Sequence, residues 1–374
     1  MMEKMCSDSE IAYLAWLASS KVPAEILKRL LISFRTGESI YKAVKSDNQQ
    51  ILEFVPVSVL NALRNSANPD LICRMDHLVL QHAIHAMTMH DPRFPTILQE
   101  ITDPVSILFY QGSPECLSRR AISMVGSRRA SYSGLKAAHQ IAQDLSMEGI
   151  AIVSGFAYGI DTASHQGCLE GRSPTIAVMG CGLDQNYPAG NEGLRKQVID
   201  SGGILLSEYA PGEKPLPGHF PYRNRIIAAL GEAVILVEAK IRSGSLRTVD
   251  HALEQGKEVF VYPGDPTSPF FEGNHQLLRD GGHYFSKALD ILEDMNWLDK
   301  NQSEVQNSGC SISTDGMSPE EEKILRLLIP GELSFDQLAA QSAVSPSDLL
   351  SILTILQIRG AVEPLPGKKY QIKQ

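Results

Sequence analysis

Ala121-Ile-Ser-Met-Val-Gly-Ser-Arg128 is a short apolar run ending in glycine, serine and arginine, and its reading decides the fold. The run is too short for a helix but long enough for a buried strand, and Gly126 marks where strand gives way to loop. The same grammar recurs in Ala151-Ile-Val-Ser-Gly155, Thr175-Ile-Ala-Val-Met-Gly-Cys-Gly182, Ala233-Val-Ile-Leu-Val-Glu238 and Val259-Phe-Val-Tyr-Pro-Gly264. Helix-like stretches separate these segments, so the sequence predicts an α/β fold with a doubly wound, parallel, Rossmann-like sheet. Sheets of that kind bind ligands at the carboxyl ends of their strands, where helix N-termini offer free N–H groups to anions.

Two of the strand-end loops carry arginine, which points to a phosphate-rich ligand. In Gly126-Ser127-Arg128-Arg129 the glycine admits close approach to the backbone and Ser127 offers a hydroxyl, while Arg128 and Arg129 supply forked donors that match phosphate. One such loop alone would be no more than a tight turn with an exposed arginine pair. The theme repeats: Arg223-Asn224-Arg225 opens a helix, and Lys240-Ile-Arg242-Ser243-Gly244-Ser245-Leu246-Arg247-Thr248 follows a later strand. A parallel sheet gathers these loops along one edge, so a phosphate-binding edge is expected there.

Ser154-Gly155 leads into a helix where Asp161 and His165 lie four apart, a spacing that suits a metal or an acid/base pair. No third ligand stands nearby in sequence. The plainer reading is an aspartate at a helix N-terminus, hydrogen-bonded to a core histidine. Other templates fail: there is no Gly-Lys-Ser/Thr triplet and no Gly-x-Ser-x-Gly elbow, and Gln185 stands where a dinucleotide fingerprint needs its third glycine after Gly180-Cys-Gly182. No catalytic residue, cofactor or metal is therefore expected.

The 374-residue chain is 43% hydrophobic and 21% charged, the composition of an ordinary globular protein with room for two or three domains. Its formal net charge of -9 argues against a uniformly basic nucleic-acid coat but leaves room for a local basic groove. No apolar run approaches a membrane span, and Met1 to Glu10 lacks the pattern of a secretory signal. The six cysteines are scattered without a Cys-x-x-Cys pair, so a disulfide framework is not expected and a cytoplasmic location is.

Residues 1–70 carry apolar residues at helical spacing and read as a small helical, helix-hairpin-like domain. Residues 71–298 hold the sheet, and residues 299–316, rich in Ser and Asn, read as a linker. Residues 317–374 carry three capping-box patterns, Ser318-Pro-Glu-Glu321, Ser334-Phe-Asp-Gln337 and Ser345-Pro-Ser-Asp348, before a hairpin-like tail. Three helices and a small β wing predict a winged helix. Its third helix, Pro346 to Arg359, holds a single basic residue, which favours a protein-interaction or accessory module over a reader of base edges.

Read together, these residues resemble the DNA-processing protein A family, also called Smf. The matching blocks are Val125-Gly-Ser-Arg128, Ser154-Gly-Phe-Ala-Tyr-Gly-Ile-Asp161 with Ala163 and His165, Gly180-Cys-Gly-Leu-Asp184 with Tyr187-Pro188, and Ser207-Glu208. Phe220-Pro-Tyr-Arg-Asn-Arg-Ile-Ile227, Val237-Glu-Ala239, Ser243-Gly-Ser-Leu246 with Thr248, Pro263-Gly264, Gly273-Asn274 and Gly281 follow in family order. The resemblance implies a non-enzymatic, homodimeric protein that binds single-stranded DNA entering in natural transformation, protects it and helps load the RecA recombinase. It places Gly126, Ser127 and Arg128 at the DNA-binding pocket, with Ser154, Gly155, Arg223, Asn224, Arg225, Ser243 and Gly244 in the other matching motifs. Arg129 and Arg242 stand beside them. Contacts to phosphate rather than to base edges are expected, because the groups are cationic or backbone donors.

Two departures stand out. Ala189-Gly190 follows Tyr-Pro where many relatives carry a basic residue, so one phosphate contact is expected to be weaker or supplied elsewhere, for instance by Lys214. Ser19-Ser-Lys-Val-Pro23 lacks the glycine of a DNA-approaching hairpin, which argues against independent DNA binding by the N-terminal region. Two rival readings remain. One is a nucleotide hydrolase resembling lysine-decarboxylase-like phosphoribohydrolases, with Asp250 in place of their catalytic glutamate. The other is a nucleotide-sensing module.

Overall fold

The structure, a computed structural model, describes residues 9–46, 51, 53, 55–297, 318–328, 332–342, 344–359, 361–365 and 369–372. The linker expected at 299–316 lies outside these residues. The chain divides into two compact units, Met1–Ile291 and Leu292–Gln374.

The first unit opens with helices α1 (Glu10–Ser19), α2 (Ala24–Phe34), α3 (Gly37–Lys45), α4 (Val57–Ser66) and α5 (Pro69–Gln81). Strands β1 (His85–Thr88), β2 (Ile107–Gly112) and β3 (Ala121–Gly126) lead into α6 (Tyr132–Met147). Alternation follows: β4 (Ala151–Ser154), α7 (Ile160–Leu169), β5 (Thr175–Val178), α8 (Glu192–Asp200), β6 (Ile204–Ser207), α9 (His219–Leu230) and β7 (Ala233–Glu238). The unit then runs through α10 (Leu246–Glu254), β8 (Glu258–Val261), α11 (Glu272–Arg279) and β9 (His283–Tyr284), and α12 (Ala288–Asp294) stands at its end.

All strands join one nine-stranded sheet in the order β1-β2-β6-β5-β4-β3-β7-β8-β9. The five predicted strands are β3, β4, β5, β7 and β8, and they pair in parallel. The expected doubly wound parallel sheet is present, and it carries an antiparallel edge that the sequence reading did not include, where β2 pairs with both β1 and β6. β2 is brought against β6 from far earlier in the chain, so local periodicity does not announce their pairing. The chain winds outward from β3 through β4, β5 and β6, then returns to the other side of β3 and runs through β7 and β8. The boundary between β3 and β7 is therefore the topological switch point, where a crevice opens beyond the strand ends.

Alternate residues of the same strands feed two separate cores, as expected for a sheet covered on both faces. Ile107, Phe109, Ala177 and Leu205 pack with Trp16, Leu31, Leu60 and other residues of the N-terminal helices. Leu108, Tyr110, Ile176, Val178 and Leu206 pack instead with Ile226 and Ala229 of α9 and Val249 of α10. The helical start of the chain thus shares its apolar core with the sheet. Cys116, Cys168 and Cys181 are buried free thiols, while Cys73 is disulfide-bonded, a departure from the expectation for scattered cysteines. Scattered spacing carries no information on which segments meet in space. Among the described residues no helix is long and apolar enough to cross a membrane.

Lys257 fastens the end of α9 to the sheet. Its Nζ donates to the carbonyls of Ala228, Ala229 and Gly231 at 2.8, 2.5 and 2.5 Å, covering acceptors that the helix leaves open at its C-terminus. Lys257→Met keeps the apolar stem and loses the donors, so it is expected to lower stability by about 1–3 kcal/mol. Urea unfolding followed by tryptophan fluorescence measures this, and an unchanged midpoint would refute it.

The second unit contains α13 (Pro319–Leu328), β10 (Leu333–Ser334), α14 (Phe335–Ser342), α15 (Pro346–Ile358), β11 (Val362–Leu365) and β12 (Lys369–Ile372). The strands form a three-stranded antiparallel wing in the order β10-β12-β11. Two of the predicted capping boxes close reciprocally. Ser318 N–H donates to Glu321 at 2.7 Å and Glu321 N–H to Ser318 Oγ at 3.2 Å, and Ser334 and Gln337 repeat the pattern. At the third, Asp348 N–H donates to Ser345 Oγ at 3.3 Å. Leu325, Leu338, Leu349, Leu353 and Val362 meet in the core. Among the described residues of the unit, the basic side chains Lys323, Arg326, Arg359 and Lys369 are each held by an acceptor within it, which leaves α15, whose end carries Arg359, a weak candidate for phosphate contacts.

Candidate nucleic-acid interface

A cleft of about 1060 Å³ opens at the switch point, between the loop after β3, the first turns of α9 and the loop after β7. Glu238, fully buried at the end of β7, shapes the first wall. Its carboxylate accepts the Ser131 N–H and hydroxyl, which fixes the N-cap of α6 and holds the Arg128-Arg129 turn. Ser127 is tied from both sides: its N–H donates to Glu238 O at 2.8 Å and its carbonyl accepts from Ile160 N at 3.1 Å. That last contact requires Gly159, which has φ +81 and whose Cβ would lie 2.2 Å from Ser127 O.

Gly126, Ser127, Arg128 and Arg129 all line the cleft, and both arginines are exposed. Asn224, Ser243 and Gly244 line the opposite wall, where Asn224 Nδ2 reaches Gly244 O at 3.4 Å. Gly244 has no atom within 4 Å of where a Cβ would stand, so its backbone is open to a ligand. Gly155 borders a smaller recess beneath Arg128 and Phe220.

Arg223 lies on the cleft floor rather than on its rim. It is only 3% exposed, and its Nη1 donates to Gly155 O at 2.7 Å and to Val178 O, while Nε has no partner. Burial lowers its pKa to about 10, opposed by the attraction of Asp161, so it stays cationic at neutral pH.

Four expected contacts fall elsewhere. Ser154 is fully buried and donates to Met124 O at 2.7 Å, so it holds β4 to β3 and has no access to a strand. Arg225 is buried on the other side of α9, paired with Glu208 at 2.7 and 2.9 Å, bonded to Asp103 O and stacked 3.9 Å from the Tyr222 ring. Arg242 is exposed in the adjacent turn but outside the lining, as is Lys214. In the Ala189-Gly190 segment, Gly190 donates its N–H to Tyr158 Oη at 3.0 Å.

The sequence reading missed the aromatic component. Phe220 stands 5.0 Å from the Arg128 guanidinium carbon and 5.3 Å from the Tyr187 ring, and Lys240 Nζ stands 4.6 Å from the Phe270 ring. Phe220 directly precedes the Pro-Tyr-Arg-Asn-Arg run, so an aromatic at the helix start was the available signal. Rings beside cations offer stacking faces as well as charge.

His165 is a core histidine, but its partner is not Asp161. Its Nδ1 bonds Thr175 Oγ1 at 2.6 Å, and the Thr175 hydroxyl donates to Ile152 O, so Nδ1 carries the proton. Among the described residues no group of three or more His, Cys, Asp or Glu could hold a metal ion.

The fold and the cleft define a doubly wound α/β protein with a crevice at its switch point lined by arginine and lysine. The chain belongs to the DNA recombination-mediator protein A family, which it matches over residues 85–296; residues 313–368 match the DprA winged helix domain. The DNA processing protein DprA of Streptococcus pneumoniae is 43% identical over 207 residues, which cover 55% of this chain and 73% of that protein. Protein Smf of Synechocystis is 31% identical over 399 residues, covering 98% of this chain and 99% of the relative. Among solved structures, the X-ray structure of Streptococcus pneumoniae DprA matches with a TM-score of 0.59 and 34% identity, covering 75% of this chain and 97% of that one. A Helicobacter pylori DprA structure, described for its single-stranded DNA binding mode, matches with a TM-score of 0.52 and 27% identity over 58% of this chain and 98% of that one.

Proposed function

We propose that this protein binds single-stranded DNA without sequence preference in the switch-point cleft and acts, without catalysis, as a recombination mediator. The carrying observation is the cleft itself: Arg128, Arg129 and Lys240 line it together with Phe220, Tyr187 and Phe270, so phosphates and bases of one strand find cations and ring faces together. Family membership extends the reading to protection of incoming DNA in transformation, a cytoplasmic homodimer, and delivery of the strand to RecA. Two copies of the cleft on one strand would raise its hold through effective concentration.

The hydrolase reading has less support. Asp250, its candidate acid, lies outside the cleft, in a recess with Leu253, Lys257 and Gly282.

Fluorescence anisotropy with labelled oligothymidine across a salt series tests the proposal. Affinity is expected to fall with salt at a log–log slope of about -0.7 per phosphate contacted. Phe220→Ala is expected to weaken binding about tenfold and leave that slope unchanged, since stacking releases no counterions. Absence of binding by folded protein at low salt would overturn the reading.

A further inference from the structure

Asp161 brings a negative charge to the floor of a cleft otherwise built for anions. It lies in the first turn of α7, is 8% exposed, and accepts the Ala157 N–H at 3.2 Å through Oδ2. Gly155 makes its position possible. A Cβ there would stand 2.7 Å from Asp161 Oδ2 and 2.7 Å from Arg223 Nη2, so the two groups converge on the bare face of this glycine.

The charged groups facing Asp161 are Arg223 from α9 and Arg128 from the loop after β3. Burial raises its pKa to about 6, against the pull of both arginines and the Ala157 hydrogen bond. His165, one turn further along α7, is driven down to about 3 by burial and stays neutral at physiological pH. Beside Arg223, burial pushes the Cys181 thiol up to about 11 and the Tyr209 phenol higher still, so neither competes for a proton near neutrality.

We propose that Asp161 is a titratable counter-ion of the DNA cleft, competing with the incoming phosphodiester for Arg223 and Arg128, so that strand binding draws a proton onto its carboxyl. The inference rests on the single-strand reading above and adds how affinity is set. With the cleft empty, Asp161 balances cations that are partly removed from water. A bound phosphodiester supplies a second anion to the same two arginines. A phosphodiester is too strong an acid to be protonated near neutrality, so the carboxylate is the group that yields, taking its proton from solvent. Asp161 is a positioning residue in this scheme, acting through the arginines.

The test is oligothymidine anisotropy at fixed salt from pH 5.5 to 8, with wild type, Asp161→Asn and Asp161→Glu. Calorimetry of the wild type in two buffers of different ionisation enthalpy counts the protons taken up and needs no variant. Wild-type log affinity is expected to fall with pH above about 6, approaching one decade per unit. Asp161→Asn should lose that dependence and bind about tenfold tighter at pH 7.5, Asp161→Glu should keep the dependence, and calorimetry should find net proton uptake at pH 7. Strand binding by wild type without proton uptake or pH dependence would overturn the counter-ion role and leave the DNA-binding reading standing. No binding by folded protein at any pH would overturn both.

Discussion

Arg128→Glu is expected to weaken oligothymidine binding by about 100-fold at low salt, equivalent to about 2.7 kcal/mol. The side chain is exposed at the cleft mouth, its turn is held by Glu238 through Ser131, and Phe220 flanks its guanidinium. Reversal removes one charge-assisted contact to phosphate and adds repulsion in a site that already contains Asp161. Two signatures separate this from general damage. The log–log salt slope should become shallower by about 0.7 for the lost contact, so the deficit shrinks as salt rises. Arg242→Glu, a reversal in the neighbouring exposed turn but outside the cleft, should cost only about threefold, because its field is screened over a Debye length. Equal losses for the two variants would mean that overall charge, and not the cleft, governs binding.

The sheet was legible because its central strands are buried on both faces and therefore read as unbroken apolar runs, each stopped by a glycine or a turn. The Gly126-Ser127-Arg128-Arg129 loop was legible only because its theme repeats: alone it reads as a tight turn with exposed arginines, but cations recur at the start of α9 and after β7, and a parallel sheet gathers such loops at one edge. The antiparallel edge was not. The pairing of β2 with β6 depends on a contact across many residues, which nothing local to either segment announces. The sharpest failure concerns α9. Arg223 and Arg225 are two residues apart and chemically identical, so residue type alone gave both a phosphate. Two residues along a helix turn a side chain to a different face. Arg223 faces the strand ends and Gly155, whereas Arg225 faces Glu208, whose partnership nothing in the local sequence announces. Ser154 failed similarly: the last residue of a buried strand reads as a loop hydroxyl until β3 is seen to take its hydrogen bond.

Arg223→Met is expected to be the most damaging single change to the fold around the cleft, costing about 3–5 kcal/mol at pH 7. Methionine approximates the length and apolar stem of arginine but donates nothing. The carbonyls of Gly155 and Val178 would lose their donor, and Asp161 would keep a buried charge whose main attractive partner is gone. The second loss depends on pH. The Asp161 carboxyl sits near 6 in the fold against a reference of 3.8, so the folded chain holds this proton more tightly than the unfolded chain does. Stability from this group is therefore present at low pH and lost as pH rises through the interval up to about 6. Without Arg223 the folded value moves further up, and the interval of loss extends toward neutrality. Urea midpoints should thus show a large deficit at pH 7 and a smaller one at pH 5, where Asp161 is protonated in both proteins and only the carbonyl contacts are missing. Adding Asp161→Asn to Arg223→Met should recover much of the deficit at pH 7 and little at pH 5. A deficit equal at the two pH values, with no recovery from the second substitution, would place the damage in the lost hydrogen bonds alone. The cleft floor would then be held by backbone contacts to Arg223 and not by a balance of buried charges.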